Sequence, residues 1–202
     1  MKKLLFLTVS VALLRVPGSA APCVTGTLAS YIAMASAGCA LGNLTVSGFA
    51  YKANAGGGAG EITADQITVT PLLAPVGTAG LQFAAPWSVQ AGQEQASGIT
   101  YQVSSTTTSG EVKEISLDGS GFQAGLLGSV VVQEIVATPA EAASLEVYLK
   151  CTEVCRSKTS ADAFITASAA LVVQDRVTLQ SKQGESAMTS FTDWFITCPP
   201  CA

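Results

Sequence analysis

The chain has 202 residues, of which 12% are charged, and 10 basic against 14 acidic side chains give a net charge of −4. This length suits one domain with a sizeable hydrophobic core. The acidic balance excludes the positive surface with which proteins bind nucleic acids or anionic lipids. The chain contains no histidine, which excludes Ser-His-Asp and Cys-His catalysis and any zinc site with a histidine ligand.

The first twenty residues have the layout of a secretory signal peptide. Lys2 and Lys3 precede an apolar run over residues 4–14, and small residues follow this run. The run is too short to span a bilayer, which takes about 20 residues, and no later stretch reaches that length. We expect residues 1–20 to be removed and residues 21–202 to form a single domain that is secreted, either extracellular or periplasmic, with no membrane span. Removal takes away three basic residues and lowers the net charge from −4 to −7.

All six cysteines follow the predicted cleavage point, and an even number of cysteines in an exported chain predicts three disulfides. Proximity in sequence gives the pairs Cys23–Cys39, Cys151–Cys155 and Cys198–Cys201. The main alternative cross-links the second of these pairs with the third. The same four cysteines could supply thiolates to zinc, although an oxidising compartment favours disulfides. The last pair also matches a redox CxxC motif, but only one residue is left to form the helix that this motif needs.

Alternation of apolar and polar residues with a period of two predicts strands along most of the mature chain. Residues 24–35 are ambiguous and predict a strand or a single helical turn, because Leu28 and Ile32 have helical spacing while nearby threonines prefer strands. Residues 44–53 alternate, and the large residues at both sets of positions predict that both faces are buried. The glycine-rich residues 54–60 predict a loop and lack the terminal Lys-Ser/Thr of a phosphate-binding P-loop.

The clearest alternation lies over residues 87–103, where a strand with Trp87 and a strand with Tyr101 flank a polar connection bounded by glycines. We expect the other strands to pack around these two. The polar stretch at residues 118–121 predicts a bulge or bend within a later strand. About nine or ten short strands at spacings near ten residues predict an all-β fold, a single antiparallel β-sandwich of the jelly-roll kind.

Three segments carry a resemblance to a known group of proteins. They are Trp87-Ser-Val with Ala91-Gly92-Gln93 and Ile99-Thr-Tyr101-Gln-Val103, the block GTLASYIAMASAGCALGNLTVSGFAY at residues 26–51, and residues 171–195. These segments resemble uncharacterised exported bacterial proteins that often carry a PEP-CTERM sorting tail. The resemblance implies an exported β-rich domain without a known activity. The chain ends in CPPCA rather than in such a tail, so we do not expect anchoring by that route.

Four acidic residues are candidates for the carboxylate pair of a glycoside hydrolase, namely Glu111, Glu114, Asp118 and Glu134. Each falls on an alternating strand or in a turn, where a solvated surface position is the simpler interpretation. The stretch from Asp118 to Gly121 has too few acidic ligands for an EF-hand calcium loop, and a bend explains it better. We therefore expect no catalytic, cofactor-binding or metal-binding residue.

Aromatic side chains could form a platform on which sugars stack, and the candidates are Tyr51, Trp87, Tyr101, Tyr148 and Trp194, with Trp87, Tyr101 and Trp194 preferred. Burial of the two tryptophans in the core is the alternative. The sequence predicts a secreted, non-enzymatic β-sandwich with a structural, adhesive or surface-associated role. A carbohydrate-binding module for cell-surface or matrix glycans is the second hypothesis, and a carboxylate-based glycoside hydrolase is the third.

Overall fold

A computed structural model of the chain describes residues 20–75, 77–105 and 110–197. The predicted signal peptide, apart from its last residue, lies outside these ranges, as does the Cys198–Cys201 pair, so both stay predictions. Among the described residues, no helix has the length and hydrophobicity that crossing a membrane requires.

The described residues form two antiparallel sheets of seven strands each, which confirms the predicted all-β sandwich. The strands in chain order are β1 (Gly26–Thr27), β2 (Cys39–Leu41), β3 (Leu44–Gly56), β4 (Thr68–Leu73), β5 (Thr78–Val89), β6 (Glu94–Ser105), β7 (Val112–Ser120), β8 (Gln123–Ala124), β9 (Ser129–Ala137), β10 (Ala142–Cys151), β11 (Cys155–Lys158), β12 (Ser160–Ser168), β13 (Ala170–Gln180) and β14 (Ser186–Thr197). The first sheet has the order β1-β4-β5-β14-β7-β12, with β8 also paired to β14. The second sheet has the order β11-β10-β9-β13-β6-β3-β2.

The count of nine or ten strands is too low, since the described residues contain 14. Four of them, β1, β2, β8 and β11, have only two to four residues. Strands of that length hold too few alternating positions to show a period, so only their hydrogen-bonded neighbours reveal them. The other ten strands each have at least six residues.

The ambiguous segment after the signal peptide contains a short helix, α1 (Leu28–Ala33), directly after β1. The Thr27 hydroxyl accepts a hydrogen bond from the Ser30 N–H at 3.2 Å, which caps the helix at its first turn. The helix buries Leu28 and Tyr31 against the core. The strand and helix predictions for this segment therefore each hold for part of it.

Strand β3 contains a bulge that changes which of its residues face the core. The register against β6 shifts between Ser47 and Ala50, and Gly48 within the shift has a φ of 65°. Val46 faces the core before the bulge, and Phe49 faces it afterwards. The prediction of a regular strand with two buried faces is wrong, because only one face of β3 is buried. The bulge turns Phe49, which regular alternation would place on the opposite face from Val46, toward the core.

The two strands predicted over residues 87–103 are present, but they belong to different sheets. β5 pairs with β4 and β14, whereas β6 pairs with β3 and β13. The chain crosses from one sheet to the other in the four residues between them. The Trp87 indole N–H then donates to the Ser97 hydroxyl at 3.1 Å across the core. Alternation shows which face of a strand is buried, and it carries no information about which strand lies alongside.

Two disulfides lie among the described residues, and both match the pairs predicted from proximity. Cys23–Cys39 joins the start of the domain to β2, and Cys151–Cys155 closes the hairpin between β10 and β11. The predicted alternative, a cross-link from this hairpin to the C-terminal pair, is wrong because its two sulfur atoms are bonded to each other. The four-thiolate zinc site is wrong for the same reason.

The bulge predicts different outcomes for two glycine substitutions. Gly48→Ala places a side chain in the left-handed region, and the added Cβ contacts only the Gln102 side chain at 3.6 Å. We expect it to lower the free energy of unfolding by about 1–2 kcal/mol, measured by urea denaturation. Gly98→Ala is the control, because that glycine has no positive φ and its added Cβ meets no atom closer than 3.7 Å. Equal losses for the two variants would show that the bulge does not require glycine.

Candidate functional site

Three carboxyl groups meet between the two sheets, and we call Glu134, Asp175 and Asp193 the acidic cluster. Glu134 on β9 lies directly opposite Asp175 on β13, and Asp193 reaches them from β14 in the other sheet. Each contributes an oxygen, and these oxygens all lie within 4.8 Å of one another. Each residue is at most 2% exposed. Each occupies an inward position that alternation normally assigns to an apolar side chain.

Hydrogen bonding to the acidic cluster is sparse. The Tyr101 hydroxyl donates to Oδ2 of Asp193 at 2.5 Å. Among the described residues, no N–H group and no hydroxyl group donates to either oxygen of Glu134, to either oxygen of Asp175 or to Oδ1 of Asp193. Asp175 and Asp193 are near enough to bond each other, which requires that one of them carries a proton. Buried polar atoms without partners are rare in folded proteins and indicate a special role or a missing partner.

Burial makes the charged forms of these groups unfavourable. It raises the pKa of Glu134 and of Asp175 well above the usual range, and the neighbouring negative charges raise both further. Burial also raises the pKa of Asp193 to about 7, although hydrogen bonds with Tyr101 and Asp175 act in the opposite direction. The pKa of Tyr101 is raised well above its usual value, first by burial and then by the charges of the acidic cluster.

The arrangement can hold a shared proton or a cation, but it cannot act on a bulky substrate. A glycosidase places its two carboxyl groups on either side of a sugar in a cleft that solvent can enter. Of the four predicted catalytic candidates, only Glu134 belongs to the acidic cluster. Asp118 instead accepts a hydrogen bond from the Trp194 indole N–H at 3.0 Å.

Sequence reasoning missed Asp175 and Asp193, although a signal for both was present. Each interrupts an apolar series with a period of two: Asp175 stands between Val173 and Val177, and Asp193 between two phenylalanines. An acidic residue at an inward position of an alternating strand is expected to be buried in the core. No spacing rule, however, places β9 beside β13 in one sheet and β14 opposite them in the other.

The three preferred residues of the predicted sugar platform do not share a surface. Trp87 is 1% exposed and Tyr101 is 0% exposed, so neither ring offers a face to a ligand. Trp194 lies on the outer side of the first sheet, where its ring covers Gly80. The platform prediction is therefore wrong for Trp87 and Tyr101. Burial in the core is correct for Trp87 and wrong for Trp194, which is partly exposed.

The outer face of the second sheet carries a groove of about 810 Å³, which we call the outer groove. Residues of β3, β6, β9 and β13 line it, most of them on the outward face of these strands. Gly98 on β6 pairs with Lys52 on one side and with Arg176 on the other, and Arg176 also pairs with Gln133. With neighbouring strands about 4.8 Å apart, the two cationic residues start roughly 10 Å apart on either side of the glycine.

Removing the Tyr101 hydroxyl that donates to the acidic cluster should destabilise the protein. Tyr101→Phe leaves Oδ2 of Asp193 without a partner in the core, so we expect a loss of about 1–3 kcal/mol in the free energy of unfolding at pH 7. Urea denaturation monitored by tryptophan fluorescence measures this loss. Tyr148→Phe on β10 is the matched control, because that ring is partly exposed and we expect little change. A Tyr101→Phe protein as stable as wild type would mean that the hydrogen bond contributes nothing.

The acidic cluster also predicts how stability depends on pH in buffer containing a metal chelator. The folded-state pKa values of its carboxyl groups lie above the value near 4 that unfolded Asp and Glu show. The folded protein then binds more protons than the unfolded chain, so stability falls as the pH rises from about 4 through 7 and beyond. Urea midpoints measured from pH 4 to 8 report this slope. Asp193→Asn should make this slope shallower. An unchanged slope in that variant would contradict the assignment of the pH dependence to the acidic cluster.

Compared with protein families and with curated proteins, the chain matches no family and no curated protein. Nothing in these comparisons bears on the resemblance to exported PEP-CTERM proteins, which stays a prediction. The function therefore has to be inferred from the geometry of the acidic cluster and of the outer groove.

Proposed function

We propose that the chain is an exported, non-enzymatic β-sandwich protein with a structural, adhesive or surface-associated role. The observation that carries this proposal is the position of its converging carboxyl groups, which lie sealed between the sheets rather than in a cleft. A general acid has to reach the bond that it cleaves, and no polymer can enter a packed core. The two disulfides support a setting outside the reducing cytoplasm.

A carbohydrate-binding role is the second candidate, and the outer groove favours it. Its volume of about 810 Å³ lies within the range of ligand sites, and amide, hydroxyl and cationic side chains along it can bond sugar hydroxyls. Lys52 and Arg176 are exposed, and neither forms an ion pair with another described residue. In an acidic chain, two such cations on either side of Gly98 favour a glycan that carries carboxylate or sulfate groups.

A glycan array with neutral and acidic members tests this role on the oxidised protein. We expect binding to acidic glycans, and we expect Lys52→Gln and Arg176→Gln each to weaken it about tenfold, which corresponds to about 1.4 kcal/mol. Lys182→Gln is the matched control, because it removes the same charge from an exposed site between β13 and β14. Equal weakening by the control would indicate a non-specific charge effect, and no binding would leave the structural role alone.

The non-enzymatic part of the proposal has its own test. Release of reducing sugars from a panel of polysaccharides should stay at the level of the buffer blank. Hydrolysis that disappears in Glu134→Gln and persists in Glu146→Gln, a half-buried surface carboxylate on β10, would overturn the proposal.

A further inference from the structure

The acidic cluster carries more negative charge than the surrounding side chains neutralise. Three ionised carboxylates in a protein core are strongly unfavourable unless a positive group is close. The only ion pair with both partners in the described part of the chain joins Lys150 and Glu146 on the outer surface. The charged groups that shift the pKa values of the three carboxyl groups include no lysine or arginine of the described residues, so the balance has to come from protons or from a metal cation.

Protons satisfy only part of the acidic cluster. Asp175 and Asp193 can share one, and Asp193 also accepts the hydrogen bond from Tyr101. Glu134 is 0% exposed, and neither of its oxygens has a hydrogen-bond partner among the described residues. A proton on Glu134 would create a buried O–H group without an acceptor. The Glu134 carboxylate nevertheless points into the acidic cluster, with an oxygen within 4.8 Å of both aspartates.

The spacing of these oxygens fits a single ion. Calcium binds oxygen at 2.3–2.6 Å, so two oxygens on opposite sides of one calcium ion lie about 4.6–5.2 Å apart. The three carboxyl oxygens lie within 4.8 Å of one another. We propose that Glu134, Asp175 and Asp193 bind one calcium ion between the two sheets.

The chemistry of the ligands favours calcium over other metals. All three side chains offer hard oxygen atoms, the chain has no histidine, and the four described cysteines are in disulfides. Zinc and copper prefer the nitrogen and sulfur ligands that are missing here. Magnesium usually keeps several of its waters, which a packed core does not accommodate, whereas calcium accepts bidentate carboxylates. Three bidentate carboxylates supply six oxygens, the lower limit of calcium coordination.

The ion would join the two layers of the sandwich. Two of its ligands come from β9 and β13 of the second sheet, and the third comes from β14 of the first. A ligand that binds only the folded chain stabilises it in proportion to the logarithm of its concentration. Calcium is therefore a structural ion in this protein. The carboxylates of Glu134 and Asp175 lie on the buried face of the second sheet, opposite the side chains that point into the outer groove, and the calcium proposal does not rest on the glycan-binding role.

Three measurements on the purified, oxidised protein test the site. The protein is unfolded and refolded in EGTA or in calcium chloride, because the core has to open for an ion to enter. After desalting, elemental analysis should find about one calcium per chain, and the thermal midpoint should lie roughly 5–10 °C higher with calcium than with EGTA. Terbium refolded into the site should luminesce when tyrosine is excited, because the Tyr101 hydroxyl contacts Asp193.

Matched variants identify the ligands. Asp175→Asn and Glu134→Gln should lose the bound calcium and the terbium signal, while Asp162→Asn, an exposed acid on β12, should keep both. If the first two variants fail to fold, the comparison of wild type with calcium and with EGTA still decides the question. A wild-type protein that retains no calcium and melts at the same temperature in both buffers would overturn the proposal, as would folded cluster variants that bind calcium normally.

Discussion

Desolvation of the carboxyl groups between the sheets is the constraint to which the rest of the core adapts. Because water is excluded from the acidic cluster, its charge has to be balanced by protons or by a cation between the two sheets. In the described part of the chain, Tyr101 supplies the one hydroxyl group that donates to the cluster, and its ring packs against Phe49, Phe83 and Phe195. The hydroxyl that reaches Asp193 is therefore held by the same aromatic contacts that fill the core.

One local backbone feature positions Phe49, one of the aromatic rings packed against Tyr101. Phe49 stacks on Tyr101 with ring centroids 5.1 Å apart and planes inclined by 12°. It can do so because the bulge at Gly48 changes the register of β3 just before it. In a regular strand Phe49 would share the outward face with Ser47, and the ring of Tyr101 would lose this contact. A glycine in the left-handed region thus allows Phe49 to stack on Tyr101 beside the acidic cluster.

The acidic cluster and the outer groove share the strands β9 and β13. Along β13, Asp175 points into the acidic cluster, while its neighbours Gln174 and Arg176 point into the outer groove. Glu134 and Gln133 divide in the same way on β9. Successive side chains of a strand point to opposite faces, so an ion or a proton in the core and a ligand in the groove would be separated by a single layer of backbone.

The sequence by itself determined the all-β class, the inward residues of most long strands and two disulfides, because alternation and short cysteine spacing are local properties. It did not determine that β5 and β6 belong to opposite sheets, that β3 is bulged, or that Trp87 is sealed in the core. Asp175 and Asp193 lie close in sequence but on strands of different sheets, and Glu134 comes from a third strand. Only the tertiary structure decided that these carboxyl groups meet, because hydrogen bonding between distant strands sets the neighbours of each side chain and leaves no periodic trace in the chain.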